Sequence, residues 1–333
     1  MQIRTKDIRE KIRDIDEFLL DDYKKNHPEK QRDWRTYEQQ LAARLKYAIR
    51  NLQPLIEEAV SSIHVERGPG RVPELSLKQK LILILVKELF DKSNRNMEAM
   101  LEMFCLLSDV EMSYKSVERL YSDPEVEMAL HNLHVLIMKR RGVRNVDASG
   151  DGTGYSLQVS QHYSAEVKKR KDAVKEADAD KKMAFVYSFK LLDLNTKLYV
   201  AYGMSFKSEK DAYNRAMVMF DSLGLTLSSM RLDKYYSNPS DVGKLGSHVK
   251  VFVLPKKNAT VKGNWAWKRR MHEFVHNTET YLGEYYRREH SEAQIGADKR
   301  WFGWDVAQRR DDRIETAVNC ANLWHNLFNL RPP

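Results

Sequence analysis

The stretch YYRREHSEAQIGADK, residues 285–299, decides how the rest of this chain is interpreted. Within it Tyr285, Arg288, Glu292 and Lys299 stand at offsets of three, seven and fourteen. Because an α-helix has about 3.6 residues per turn, these four side chains are predicted to share one narrow stripe of a helix. A carboxylate flanked by a phenol and two cations suits a metal ion beside a phosphate backbone better than it suits a core.

The composition is that of a basic globular protein. Lys and Arg number 56 against 47 Asp and Glu, which gives a net charge of +9 over 333 residues. A basic balance favours a polyanionic partner, usually nucleic acid, although charge alone also fits any soluble basic protein. With 42% hydrophobic residues, the chain is long enough for two domains and a sizeable core.

Cysteine usage and hydropathy indicate a cytoplasmic protein without a membrane anchor. The two cysteines, Cys105 and Cys320, lie inside apolar helical patterns and have no metal-ligand spacing, which suits a reducing cytosol. The most apolar run, Leu81–Phe90, is short and contains Lys87, so it cannot span a bilayer.

The first 140 residues are predicted to be helical, in two regions. Residues 1–66 form the first, where Asp33 can cap a helix that begins at Trp34. The segment Gly68–Pro73, GPGRVP, breaks the pattern and predicts a linker. Residues 74–140 form the second region, in which Ser76 is the predicted N-cap of a buried helix.

The second region contains a pattern typical of a helix-turn-helix. Helical stretches at Ser93–Leu107 and Ser113–Tyr121 are separated by a short break. If the second is a recognition helix, Tyr114, Lys115 and Arg119 would face DNA. An ordinary helical bundle with a polar face explains the same pattern equally well.

From residue 141 the hydrophobic period changes from that of helices to that of strands. Gly- and Asp-rich residues 143–157 predict a first strand, and residues 183–206 alternate around the turn signal Asp193–Lys197, which predicts a β-hairpin. Two further strands are expected at 227–236 and 248–255, with helices at 211–223, 271–292 and 311–330. Residues 141–333 are therefore predicted to form a mixed α/β sheet flanked by helices.

Three acidic residues are candidates to converge at this sheet. Asp151 lies in the first strand, Asp233 at the end of a later one, and Glu292 on a helix expected to pack against the sheet. Three carboxylates gathered without a cation would raise one another's pKa, whereas Mg²⁺ prefers such hard oxygen ligands. Asp147, also in the first strand, is the alternative first ligand.

The four-residue pattern Y-x2-R-x3-E-x6-K resembles the signature of a large group of bacterial and archaeal insertion-sequence transposases. The run GDGTGYS at Gly150–Ser156 looks like their first-Asp motif, and RLDKYYSN at Arg231–Asn238 looks like the second. The resemblance implies a DDE catalytic domain with an RNase H-like mixed sheet, preceded by an all-helical N-terminal DNA-binding region.

The resemblance also implies an activity and its participants. Asp151, Asp233 and Glu292 would hold two Mg²⁺ or Mn²⁺ ions that promote phosphodiester hydrolysis and strand transfer. The other members of the signature, Tyr285, Arg288 and Lys299, would grip phosphates of the transposon end. Double-stranded DNA is the implied partner, bound by a homodimer at the nucleoid of a prokaryote. A transposase-derived DNA-binding protein that no longer cuts, or a stand-alone nuclease on the same fold, are the alternatives.

A basic segment with interleaved tryptophans precedes the signature. Trp265 and Trp267, beside Lys268 and Arg269, could stack on an unpaired base near the cut. Trp301 is a further candidate. Core packing explains each tryptophan at least as well.

Overall fold

The computed structural model describes residues 3–15, 25, 33–64, 74–90, 97, 100–102, 105, 112–157 and 185–330. Its helices there are α1 (Thr5–Asp14), α2 (Trp34–Ser61), α3 (Leu77–Leu89), α4 (Tyr114–Leu120), α5 (Pro124–Arg140), α6 (Glu209–Ser222), α7 (Pro239–Lys244), α8 (Trp265–His276), α9 (Thr278–Tyr286), α10 (Glu289–Phe302) and α11 (Asp311–Phe328). The strands are β1 (Asn145–Leu157), β2 (Phe185–Asp193), β3 (Tyr199–Ser205), β4 (Thr226–Arg231), β5 (Lys250–Phe252) and β6 (Asp305–Val306). None of the helices in these ranges combines the length and apolar composition that crossing a bilayer requires.

The sheet is mixed, with β1 at its centre. Its strand order is β3-β2-β1-β4-β5, and β6 pairs with the far end of β1. Strands β1, β2 and β3 are antiparallel neighbours, whereas β4 runs parallel to both β1 and β5. Helices cover the sheet, so the predicted mixed α/β architecture with flanking helices is confirmed at this level.

The hairpin turn and two helix caps, all predicted from local sequence, are confirmed. Asp33 accepts hydrogen bonds from the backbone amides at the start of α2, and Ser76 caps α3. The turn between β2 and β3 is held by Asp193, whose carboxylate accepts hydrogen bonds from the amide and hydroxyl of Thr196. Lys197 completes the turn with a φ of 61°.

Two predictions of regular structure need correction. The helix expected over residues 271–292 is three helices, α8, α9 and the start of α10, because the chain turns at Asn277 and again at Arg287 and Arg288. The strand expected within residues 227–236, ending at Asp233, ends two residues earlier, at Arg231. Beyond it Asp233 caps a short 3₁₀ helix, Lys234–Tyr236, by accepting a hydrogen bond from the Tyr235 amide. The linker predicted at residues 68–73 lies outside the described residues.

The last helix ties the helical N-terminal region to the sheet. On α11, Trp324 donates from its indole nitrogen to the Leu85 carbonyl of α3 at 2.7 Å. Thr316 of the same helix donates to the Tyr121 carbonyl at 2.8 Å. Apolar side chains of both regions belong to one buried cluster. The domain boundaries drawn at residues 66, 74 and 140 remain a prediction.

A buried histidine gives this core a pH dependence. His134 of α5 is fully buried; its Nε2 donates to the Val200 carbonyl at 3.1 Å, and its Nδ1 accepts from the Asn326 amide at 3.4 Å. Burial, opposed by the Val200 hydrogen bond, lowers the pKa of this imidazole to about 4. Between about pH 6.5 and pH 4, His134 therefore binds a proton in the unfolded chain but stays neutral in the folded chain.

We expect the free energy of unfolding to fall by up to about 3 kcal/mol as pH drops through that window. Urea denaturation at a series of pH values measures it. A His134→Gln variant should be less stable near neutrality but should lose less of its stability on acidification. An equally steep acid dependence in the variant would show that other groups cause the loss.

Candidate active site

The register of the parallel strands β1 and β4 brings two acidic residues side by side. Asp147, Ala148 and Ser149 pair with Ser229, Met230 and Arg231. The same register, continued two residues beyond the end of β4, sets Asp151 level with Asp233. Sequence patterns predicted both strands, but the offset between them is a property of the folded sheet.

Helix α10 brings the third acid to the same place by packing across β1. Ser291 and Ser149 are hydrogen-bonded through their hydroxyls at 2.8 Å, and Lys299 donates to the Gly154 carbonyl at 2.8 Å. Glu292 follows Ser291 in the first turn of α10, and its side chain is about half exposed. The helix thus lies against the sheet while its N-terminal carboxylate points to the edge where Asp151 and Asp233 stand.

A buried ionic network fixes the position of α10. Asp298 accepts hydrogen bonds from Tyr199 at 2.6 Å and Lys190 at 3.3 Å, and lies 2.8 Å from Nδ1 of His325. Burial raises the pKa of Asp298, but the charges of His325 and Lys190 outweigh it, so the pKa lies below its usual value. Asp298 is therefore an ionised anchor, six residues along the helix from Glu292.

The three acids converge on one guanidinium. Arg288 Nη1 is 3.6 Å from an Asp151 oxygen, while its Nη2 is 3.8 Å from an Asp233 oxygen and 2.6 Å from a Glu292 oxygen. Because two acids share Nη2, their oxygens cannot be farther apart than the sum of those two distances. Arg288 is the internal cation of this cluster, with a side chain only 16% exposed.

The surroundings of Asp151 disfavour its ionised form. Burial, opposed by Arg288 and reinforced by the nearby negative charge of Glu292, raises the pKa of Asp151 to about 6. At neutral pH Asp151 is therefore mostly ionised, although its charge is less well stabilised than that of a carboxylate in water.

Glu209 is a fourth acid at the site that the sequence reasoning missed. It opens α6, and its carboxylate lies over the backbone of Gly152, where any Cβ would collide with it. Tyr236, which closes the short helix capped by Asp233, donates its hydroxyl hydrogen to Glu209 at 2.8 Å. The charge of Glu209 is among those that raise the pKa of Asp151. The glycine at 152 is the one local signal, since it admits a neighbouring group to the strand backbone.

Asp147 lies in a different ionic cluster. It pairs with Arg231 and with Arg287, which is 2.8 Å away, and it accepts a hydrogen bond from Ser229. Burial raises its pKa, but those hydrogen bonds and charges prevail and lower it. Glu284 completes the cluster by pairing with the same two arginines. The charge of Asp147, the alternative first ligand, is thus already neutralised, in a cluster separate from Asp233 and Glu292.

The remaining signature residues are less exposed than predicted. Tyr285 is 5% exposed, with Arg288 packed 5.8 Å above its ring, so it supports that guanidinium from below. Lys299 is 7% exposed. Its ammonium group donates to the Gly154 carbonyl and lies 4.3 Å from the centre of the Trp304 ring. The phosphate contact predicted for Lys299 stays a prediction, although its ammonium group already bonds to the Gly154 carbonyl.

The basic tryptophan segment divides into a buried and an exposed part. Trp267 is 2% exposed and donates to the Thr260 carbonyl at 2.8 Å, which favours the alternative of core packing over stacking on a base. Trp265 is 75% exposed at the start of α8, and Lys268 and Arg269 are exposed beside it. Trp301 is 36% exposed.

Only part of the helix-turn-helix pattern can be located. Its second helix is α4, capped by Ser113, with Lys115 and Arg119 exposed and Tyr114 partly packed against the core. Most of the first predicted helix, residues 93–107, lies outside the described residues. DNA contact by Tyr114, Lys115 and Arg119 stays a prediction.

The donor set at the three acids has the chemistry that Mg²⁺ or Mn²⁺ requires, namely hard carboxylate oxygens. In the described part of the chain, no three His, Cys, Asp or Glu side chains are close enough together to hold a metal ion as they stand. The guanidinium of Arg288 lies among the three carboxylates. The residue types therefore suit a divalent ion, while Arg288 occupies the space between the carboxylates.

Comparison with known proteins gives one relative of nearly full coverage. The chain is 41% identical over 288 residues, which are 86% of its own length and 85% of the relative's, to "Probable transposase for insertion sequence element ISA1214" of Archaeoglobus fulgidus. No protein-family model matches the chain. No solved structure matches it either.

Proposed function

This chain belongs to the insertion-sequence transposases, and from that premise we propose that it is a DDE transposase with an RNase H-like catalytic domain. The observation that carries the proposal is the convergence of Asp151, Asp233 and Glu292 on the single guanidinium of Arg288. The central strand bearing the first acid and the parallel neighbour leading to the second support the fold assignment. Belonging to the family alone would not distinguish a cutting enzyme from a binding protein.

The proposed reaction is hydrolysis of a phosphodiester at each end of the element, followed by attack of the freed 3′-OH on target DNA. Two Mg²⁺ or Mn²⁺ ions, when bound, would supply charge stabilisation for the attacking and leaving oxygens of this displacement. Asp151, Asp233 and Glu292 would hold them. Asp151, with a pKa of about 6, is largely ionised at neutral pH, and a bound cation would supply its counter-charge.

Arg288 would orient the DNA phosphate at the acids. A guanidinium can bind phosphate through two parallel hydrogen bonds, and Tyr285 limits its movement from below. The exposed residues Trp265, Lys268 and Arg269 would bind the flanking duplex. Most of that affinity would come from phosphate contacts and would fall with salt.

Double-stranded DNA, both the transposon ends and the target, is the proposed partner. Two ends must be cut in one event, so a homodimer on DNA is expected, acting at the nucleoid in the cytoplasm. Two alternatives remain open to test: a transposase-derived DNA-binding protein without cutting activity, and a stand-alone nuclease on the same fold.

One assay separates these functions. The purified protein is incubated with DNA carrying the inverted repeats that flank its gene, with Mg²⁺ or Mn²⁺ and a target plasmid. A transposase produces 3′-OH ends at the repeat boundary and then joined products, and EDTA abolishes both. Binding without cutting would support the first alternative, and cutting without preference for the ends or without joining would support the second.

A further inference from the structure

A cleft between α2 and α10 opens beside Glu292, and Trp301, a candidate for base stacking, lies in its lining. It has a volume of about 420 Å³. One wall is formed by α10, where Glu292, Gly296 and Arg300 recur every fourth residue and so share a face. The opposite wall is formed by Tyr37, Gln40, Leu41 and Arg44 of α2, and the end of α11 closes the floor.

The charges in this cleft suit a phosphodiester chain. Within the described residues, neither Arg44 nor Arg300 has a carboxylate partner, although other arginines of the chain are paired. Of the acids that line the cleft, Asp298 pairs with Lys190 and is hydrogen-bonded to His325, and Glu292 belongs to the acidic cluster. Two uncompensated cations thus lie along a path that leads to the acids.

The shape of the cleft is as informative as its charge. Gly296, Ala293 and Ala297 leave open space on the α10 wall between the longer side chains of that helix. Trp301 and Tyr37 add aromatic surface on which bases can stack without sequence preference. A cleft of about 420 Å³ lined by cations and rings suits one strand better than a duplex.

We propose that the cleft between α2 and α10 binds a single DNA strand, whose phosphates contact Arg44 and Arg300 as it leaves the acidic cluster. The inference rests on the proposed function, since it takes this strand to be the one that is cut. It assigns the N-terminal helix α2 a direct part in substrate binding at the catalytic edge of the sheet.

The test measures binding of fluorescein-labelled oligothymidylate in EDTA over a range of salt concentrations. Arg44→Gln and Arg300→Gln should each weaken binding about tenfold, and each should lower the slope of log affinity against log salt by about 0.7, as expected for one lost phosphate contact. Arg50→Gln is the matched control, because Arg50 is exposed on the same helix outside the cleft and its loss changes the net charge equally.

A second variant fills the cleft without removing charge. A Cβ at Gly296 would meet nothing closer than Arg300 at 3.9 Å, so Gly296→Leu extends into the open space. This variant should melt no lower than wild type, because leucine favours a helix more than glycine does, yet it should bind the strand at least tenfold more weakly.

Affinities and salt slopes of Arg44→Gln and Gly296→Leu equal to those of Arg50→Gln would overturn the proposal. Its failure is distinct from that of the proposed function, because strand binding is measured without metal or cleavage. If these variants lost strand binding but the wild-type protein never cut DNA, the cleft would still be a strand-binding site and only the proposed enzymatic activity would be wrong.

Discussion

Asp151→Asn should abolish DNA cleavage, by at least about 10³-fold, while the protein still folds and binds DNA. The amide keeps the size of the side chain but removes the charge that would hold a divalent ion between strands β1 and β4. The loss belongs to the chemical step, so the affinity for end DNA in EDTA should stay within a few-fold of wild type. Cleavage under single-turnover conditions measures it.

The matched control is Asp147→Asn on the same strand. Asp147 neutralises the buried guanidinium of Arg231, so this variant should keep its cleavage chemistry and lose stability instead. If Asp147→Asn stopped cleavage in a folded protein while Asp151→Asn cut normally, the first ligand would be Asp147 and our assignment would be wrong.

The two variants should also differ in the sign of their effect on stability without metal. The pKa of Asp151 is raised to about 6, so its ionisation destabilises the fold as pH rises from about 4 to above 6. Asp151→Asn should then be more stable than wild type by about 2 kcal/mol at pH 7.5, and the difference should vanish near pH 4. Asp147 has a lowered pKa, so its stabilising contribution is present at neutral pH and is lost on acidification.

Local features of this fold could be predicted from sequence because neighbours along the chain determine them. The caps at Asp33 and Ser76 and the hairpin turn at Asp193 each depend on side chains bonding to backbone within three residues. The turn at Arg287 and Arg288 was missed because no Gly or Pro marks it, and both residues keep right-handed helical dihedrals.

Features that depend on tertiary partners could not be predicted. Asp147 and Asp151 lie on the same face of one strand, since side chains alternate, and only the arginines each one meets distinguish them. Lys299 shares a helical stripe with Glu292, but α10 runs from the rim of the sheet to its interior, so one end of the stripe is half exposed and the other buried. The role of Glu209 required knowing that α6 begins over Gly152.

Arg288→Met should raise the affinity of the DNA-free protein for Mn²⁺ at least about tenfold while lowering cleavage about 100-fold or more. The guanidinium that satisfies Asp151, Asp233 and Glu292 competes with any divalent ion for the same oxygens. Removing it leaves three carboxylates whose charges a bound metal ion would neutralise. Cleavage falls because the phosphate loses the group that orients it.

The same competition links metal to DNA. In wild type, a DNA phosphate that draws Arg288 away should strengthen Mn²⁺ binding, and by reciprocity Mn²⁺ should strengthen DNA binding. In Arg288→Met this coupling should be lost. Arg287→Met is the control, because that neighbour pairs with Asp147 and Glu284 instead of the three acids.

Titration calorimetry with Mn²⁺, with and without end DNA, measures both affinity and coupling. The variant should also be less stable than wild type in EDTA and should recover on addition of Mn²⁺, because its unpaired carboxylates repel one another. Equal Mn²⁺ affinities for Arg288→Met, Arg287→Met and wild type would mean that the guanidinium does not occupy the position of the metal. In that case Arg288 would contact only the DNA phosphate, and the metal could bind to the DNA-free protein without competition from the guanidinium.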